Sequence, residues 1–201
     1  MPKVKVKRTN PSLDMTPMVD LAFLLVTFFM LTTKFSPEEA VVVDTPSSVS
    51  EIKLPESDVI TISIDKDNRI FFGVDGQYTK EKLLQRMGEK YNISFTPEEI
   101  KTFSLSTNFG VPIGSLKQYL NMSSDERKQV EQPGIPADSA RNELGDWVMQ
   151  ARLTNPKVVI AIKGDMDADY PVVEKVISTL QDRKVNRFNL ITDMENKPNV
   201  Q

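Results

Sequence analysis

The stretch from Met18 to Thr33, MVDLAFLLVTFFMLTT, carries one ionisable side chain, Asp20, and none follows it until Lys34. A run this apolar folds as a helix that must leave water, into lipid or among other helices. A carboxylate near the centre of a bilayer costs about 3 kcal/mol even on the mildest scale, so such groups face a protein interior and mark ion paths. Asp20 is therefore the first candidate functional residue. The chain contains no histidine, so a proton-coupled step in the membrane has no imidazole to use and falls to Asp20.

Lys3, Lys5, Lys7 and Arg8 precede the run, while the whole chain holds 25 basic against 28 acidic residues. The basic cluster is local, which argues against a nucleic-acid surface. Positive charge just before an apolar helix predicts a cytoplasmic N-terminus, with everything beyond Lys34 outside. The same pattern resembles a secretory leader. The acid within the run, and the lack of a small-x-small cleavage site in TTKFSPEEA, argue instead for a retained anchor. At about 1.5 Å per residue the run spans roughly 24 Å, against roughly 30 Å of hydrocarbon. A short helix with an acid suits enclosure by partner helices better than lipid on every side.

Thr16 and Pro17 read as an N-cap hydroxyl and a first helical residue. This places a transmembrane helix over 16–35, after a cytoplasmic N-terminus of 1–15. At about 100° per residue, Asp20, Leu24, Thr27 and Leu31 share one face, with Lys34 close to the same line. Thr16 and Thr27 are the candidate supports of a proton path. Thr27 either serves that path or bonds to its own helix backbone. Asp14 reads as a helix-start acid near headgroups or water.

Residues 36–58 read as an extended linker in which Val41–Val43 and Ile52–Leu54 are short strand candidates. The domain then runs over 59–192. VITISID at 59–65 turns through KDN into a second strand at 69–73, and Thr79 is expected to cap a helix with Leu83, Leu84, Met87 and Tyr91 on one side. A helix with Leu144, Trp147, Val148 and Ala151 stops near Asn155-Pro156. The strand KVVIAIK (157–163), a helix at 172–182 and a strand at 188–192 follow. Between them, 93–138 reads as a helical insertion, with helices at 97–103, 113–120 and 124–132, and 193–201 reads as a tail. The fold class is α+β: one transmembrane helix followed by a small strand-helix domain.

No catalytic or metal chemistry is evident, so neither an enzyme nor a cofactor is expected. GDMDADY (164–170) alternates acids as a calcium loop would, but Tyr170 and Val176 stand where an EF-hand needs glycine and glutamate. It reads as a solvated loop with Asp169 at a helix start. There is no cysteine and no serine in a nucleophile elbow.

The basic N-terminus, LDMTPMVDLAFLLVTFFML, and the closing stretch KVVIAIKGDMDADYPVVEKVISTLQDRKVNRFNLIT together resemble the ExbD/TolR family of biopolymer-transport proteins, closest to ExbD. The resemblance implies a dimer whose helices stand within a pore of ExbB/TolQ-like subunits. It makes the aspartate at position 20 the proton-responsive residue of a motor that energises a TonB-like periplasmic client. It also makes Val41, Val42, Val43, Pro46, Leu54 and Pro55 the region matching a plug or strand-addition segment. The segment 93–138 departs from the compact family pattern. A TolR-like envelope-maintenance subunit, or a membrane-tethered periplasmic binding domain without motor activity, are the alternatives.

Overall fold

The computed structural model describes residues 15–32, 43, 47–48, 57–138, 141–191 and 193–194. The chain divides into two compact units, Met1–Pro37 and Glu38–Gln201.

The first unit is built around α1, Thr16–Thr32. The Val19 N–H donates to the Met15 carbonyl at 3.0 Å, so Met15 holds the N-cap position. Thr16 and Pro17 both lie in the first turn, and the helix starts one residue earlier than expected. Proline is still tolerated there, because the first-turn N–H groups have no helical acceptor. α1 has 17 residues, or roughly 26 Å at about 1.5 Å each. Among the described residues no helix is long and apolar enough to cross a membrane. Residues 33–35 of the expected span lie outside the described residues.

The second unit carries, in order, β1 (Ser47–Ser48), β2 (Val59–Ile64), β3 (Ile70–Val74), α2 (Gln77–Tyr91), α3 (Pro97–Leu105), β4 (Asn108–Phe109) and α4 (Ile113–Leu120). It continues with α5 (Ser124–Gln129), β5 (Ala137–Asp138), β6 (Arg141–Asn142), α6 (Glu143–Thr154), β7 (Val159–Gly164), α7 (Tyr170–Asp182), β8 (Phe188–Ile191) and β9 (Asp193–Met194). Its main sheet has the order β4-β3-β2-β7-β8. β2, β3 and β4 are antiparallel neighbours, while β2, β7 and β8 run parallel. This is the expected α+β class.

Alternation in β2 explains the layering. Ile60, Ile62 and Ile64 align with Val74, Phe72 and Ile70 on one side, and Ile60 and Ile62 align with Ile160 and Ile162 on the other. All of them join one core with Leu83, Leu84 and Met87 of α2, Leu144, Trp147, Val148 and Ala151 of α6, and Val176 and Leu180 of α7. Successive strand residues point to opposite faces, so Thr61, Ser63, Phe71, Ala161 and Lys163 look the other way.

The turn from β2 to β3 is set by Asp65, whose carboxylate accepts the backbone N–H groups of Asp67 and Arg69 at 3.0 and 2.8 Å. Asn68 takes the left-handed conformation, φ 63°, which asparagine tolerates better than most residues. The start of α2 differs from expectation. Gly76 is the N-cap, at φ 87°, a backbone region open mainly to glycine. Thr79, expected as the cap, is buried inside the helix.

The segment 93–138 is not an appendage. Its helices lie where the sequence placed them, with α5 ending at Gln129. The two-residue β4, however, completes the sheet edge by aligning Phe109 with Phe72 and Asn108 with Gly73. The Phe109 ring lies 6.0 Å from Phe72, 5.2 Å from Phe103 and 4.9 Å from Trp147. Gly73 permits the approach, since a Cβ there would sit 2.8 Å from the Thr107 carbonyl oxygen.

β1 pairs in parallel with β9, Ser47 opposite Asp193 and Ser48 opposite Met194. The linker strand thus lies between the two expected strand candidates, and part of the expected tail is its partner. Val43 is half-buried. Val41, Val42, Pro46, Leu54 and Pro55 lie outside the described residues, as does Asp14.

Candidate functional site

Asp20 lies just beyond the first turn of α1, a helix with no other acid and no buried side chain. The helical phase puts Leu24, Thr27 and Leu31 on its side, with Ala22, Leu25, Val26, Phe29 and Met30 on the others. The face has one carboxylate and the hydroxyls of Thr16 and Thr27, on a cylinder that is otherwise apolar but for Thr32. Thr27 Oγ1 donates to the carbonyls of Phe23 and Leu24, both at 2.9 Å. Thr32 Oγ1 does the same to Phe28 at 2.8 Å. The Thr27 proton is therefore engaged by its own helix, and the oxygen keeps acceptor capacity toward a neighbour.

Asp20 and Thr27 are separated by roughly 10 Å along the axis, at about 1.5 Å per residue. That is too far for a hydrogen bond, so a continuous proton path needs groups from other helices or water between the two. Thr16 sits four residues before Asp20, one turn toward the N-terminus on the same side.

The acidic loop 164–170 uses its carboxylates locally. Asp169 is the N-cap of α7, and Asn68 clasps it through two bonds: Asn68 Nδ2 to Asp169 Oδ2, and the Asp169 N–H to Asn68 Oδ1, each 2.8 Å. The Asp167 N–H donates to Asp165 Oδ1 at 3.0 Å. Among the described residues no group of side chains is placed to hold a metal ion.

The polar centre that sequence reasoning missed is Asp146, in the first turn of α6. Its Oδ1 meets Lys90 Nζ at 2.6 Å and an Arg183 guanidinium nitrogen at 2.8 Å. Its Oδ2 accepts the Tyr91 hydroxyl at 2.9 Å. Burial first, and then the bond to this carboxylate, push the Tyr91 phenol far above its ordinary range. One carboxylate thus ties α2, α6 and the end of α7 together. Two further buried acids fix the 93–138 segment: Glu143 Oε2 accepts the Ile113 N–H at 2.8 Å, and Glu99 Oε1 accepts Asn121 Nδ2 at 2.8 Å. These partners are tens of residues apart in sequence, and no local pattern announces them.

A family model described as "Biopolymer transport protein ExbD/TolR" matches residues 6–195, covering α1, the strand-helix domain and the segment 93–138 alike. No curated protein and no solved structure matches the chain.

Proposed function

The chain belongs to the ExbD/TolR family, and on that premise we propose that it is the proton-coupling subunit of an inner-membrane motor, with ExbB/TolQ-type subunits around its helix. The observation that carries this reading is Asp20: the one titratable group on a helix that is otherwise almost wholly apolar and has no buried residue. At 17 residues α1 is short for a solitary span, and in this reading other helices enclose it. The N-terminus is cytoplasmic in this reading and the second unit periplasmic.

The energetics fit a field-driven switch. Moving one charge across 100 mV is worth about 2.3 kcal/mol, similar to the roughly 3 kcal/mol cost of a carboxylate in the membrane. The field can therefore decide which form of Asp20 is populated. In a dimer whose two Asp20 side chains meet different pore walls, alternating protonation changes the preferred neighbours and favours rotation or rocking of the helix pair. The client we assign is TonB-like, making the work outer-membrane transport.

The test is Asp20→Asn, which keeps shape and hydrogen bonding but cannot titrate. The variant is expected to insert, to co-purify with the pore subunits and to lose proton-driven uptake, with Thr27→Val milder. Full growth on a substrate that requires active outer-membrane transport, with the variant at normal abundance, would end the motor reading. Partners co-purifying with the intact chain separate a TonB-like client from a Tol-type one. Alkaline phosphatase fused after Leu54 should be active, and fused before Asp14 inactive.

A further inference from the structure

The bend between α2 and α3 encloses a cleft of about 460 Å³. Gln85, Gly88, Glu89 and Asn92 follow one another at helical spacing and form one wall, while Phe95 and Ile100 of the segment 93–138 form the other. Gly88 makes the close approach possible. A Cβ there would stand 2.5 Å from the Ile93 carbonyl oxygen and 3.1 Å from the Phe95 ring.

The loop joining the two walls is pinned along its length. Asn92 takes the left-handed conformation, φ 56°, and donates its N–H to the Gly88 carbonyl, as Ile93 does at 2.8 Å. Thr96 and Glu99 close a reciprocal cap at the start of α3, and Lys117 Nζ donates to the Ser94 carbonyl at 2.8 Å. The cleft is therefore preformed, and its volume falls within the roughly 300–1,000 Å³ usual for ligand sites.

Its chemistry is one-sided. Phe95 and Ile100 are half-buried apolar groups, whereas Gln85, Glu89 and Asn92 are exposed, and among the described residues their side chains hold no hydrogen bond or ion pair. Glu89 is the one charge among the residues lining the cleft, and it lies in the last turn of α2, where the helix carbonyls already concentrate negative potential. The nearby cations are engaged elsewhere. Lys90 meets Asp146 at 2.6 Å, and Lys117 is held by the Ser94 carbonyl and, at 4.0 Å, by Glu99. A carboxylate at the negative end of a helix, between two carboxamide oxygens and above apolar surface, suits an ammonium group with three donors on an aliphatic stem.

We propose that this cleft binds a lysine side chain presented by a partner polypeptide. The stem packs on Phe95 and Ile100, and the ammonium bonds Glu89 and the carboxamide oxygens of Gln85 and Asn92. The carboxamide N–H groups are then left to meet carbonyls of the partner's backbone, which a free amine lacks. The site stands apart from α1 and holds whether or not the motor assignment does.

The test uses the full chain in nanodiscs and saturation-transfer NMR observed on N-acetyl-lysine methylamide. Its side-chain methylene protons should receive saturation, with half-saturation on the order of 1 mM for a ligand of this size. Glu89→Gln, at an exposed position, should weaken binding at least about tenfold, since it removes a bond to a charged group, while Trp147 fluorescence stays native. The neutral N-acetyl-norleucine methylamide should bind weakly to both proteins, and pentylamine more weakly than the lysine compound. Absence of saturation at about tenfold above the expected midpoint would overturn the proposal. So would unchanged affinity in Glu89→Gln, or a norleucine compound that binds as well as the lysine one. Pentylamine binding as tightly as N-acetyl-lysine methylamide would overturn the polypeptide as the source of the amine.

Discussion

Phe109→Ala tests whether the segment 93–138 is part of the domain's frame. Phe109 is 3 % exposed, it aligns with Phe72 across the β3–β4 edge, and its ring meets those of Phe103 and Trp147. Truncating a buried phenylalanine removes its transfer free energy and leaves a cavity, together costing about 3–5 kcal/mol. A whole domain is stabilised by only about 5–15 kcal/mol, so Phe109→Ala should remove a large part of it. At about 2–4 °C per kcal/mol for a domain of this size, the midpoint falls on the order of 10 °C. Trp147 is the sole tryptophan and sits in the same cluster, so its fluorescence in urea reports the transition directly. Leu105→Ala, on an exposed position of the same segment, is the control and should stay within about 0.5 kcal/mol of the parent. A loss below about 1 kcal/mol for Phe109→Ala, or a separate transition that leaves Trp147 native, would refute the placement. By the same reasoning, deletion of 93–138 with a short Gly/Ser joint should unfold the domain.

Gly88→Ala should destabilise, although glycine to alanine within a helix ordinarily gains about 1 kcal/mol. The new Cβ would stand 2.5 Å from the Ile93 backbone oxygen, and a raised thermal midpoint would contradict this. Asp146→Ala removes three partners at once and should cost about 2–3 kcal/mol, because bonds to charged groups run at about 1.5–3; Asp146→Asn should cost less, and urea midpoints of the two compare them. For Glu99, burial raises the carboxyl, but bonds from the Thr96 backbone and Asn121, the Lys117 charge and the Thr96 hydroxyl outweigh it and hold the group below its ordinary value. A depressed carboxyl contributes stability above its unfolded value and loses it as pH falls through the folded one. The urea midpoint should therefore drop as pH falls through and below the ordinary glutamate range, and the drop should shrink in Glu99→Gln; an unchanged drop would exclude Glu99 as a source.

The elements legible from sequence are those with a sustained period. VITISI alternates over a full strand, and Leu83, Leu84 and Met87 recur at helical spacing, so β2, α2, α6, β7 and α7 fall close to their expected places. β4 was invisible for a physical reason: two residues carry no period, and Asn108–Phe109 becomes a strand only because Gly73 admits close approach and Phe109 fills the aromatic cluster. The start of α2 was misplaced because a good capping residue, Thr79, follows the glycine that the chain reversal requires. Asp20 was legible because a charge within an apolar run stands out locally. Asp146, Glu143 and Glu99 were not, since their meaning lies in partners from distant elements.

The position of β2 has a mechanical consequence. It is the first long strand after the linker and also the middle strand of the main sheet, held by β3 on one edge and β7 on the other. Tension along the chain meets the two-residue β1–β9 pairing first, and beyond it enters the main sheet at Val59 and runs along the axis of β2. The ladder bonds to both neighbours lie across that axis and are loaded in shear, so they resist together, whereas an edge strand peeled from its end gives way one bond at a time. Traction along the chain is thus delivered to the part of the main sheet best able to bear it, and the sheet resists being unravelled from its point of attachment.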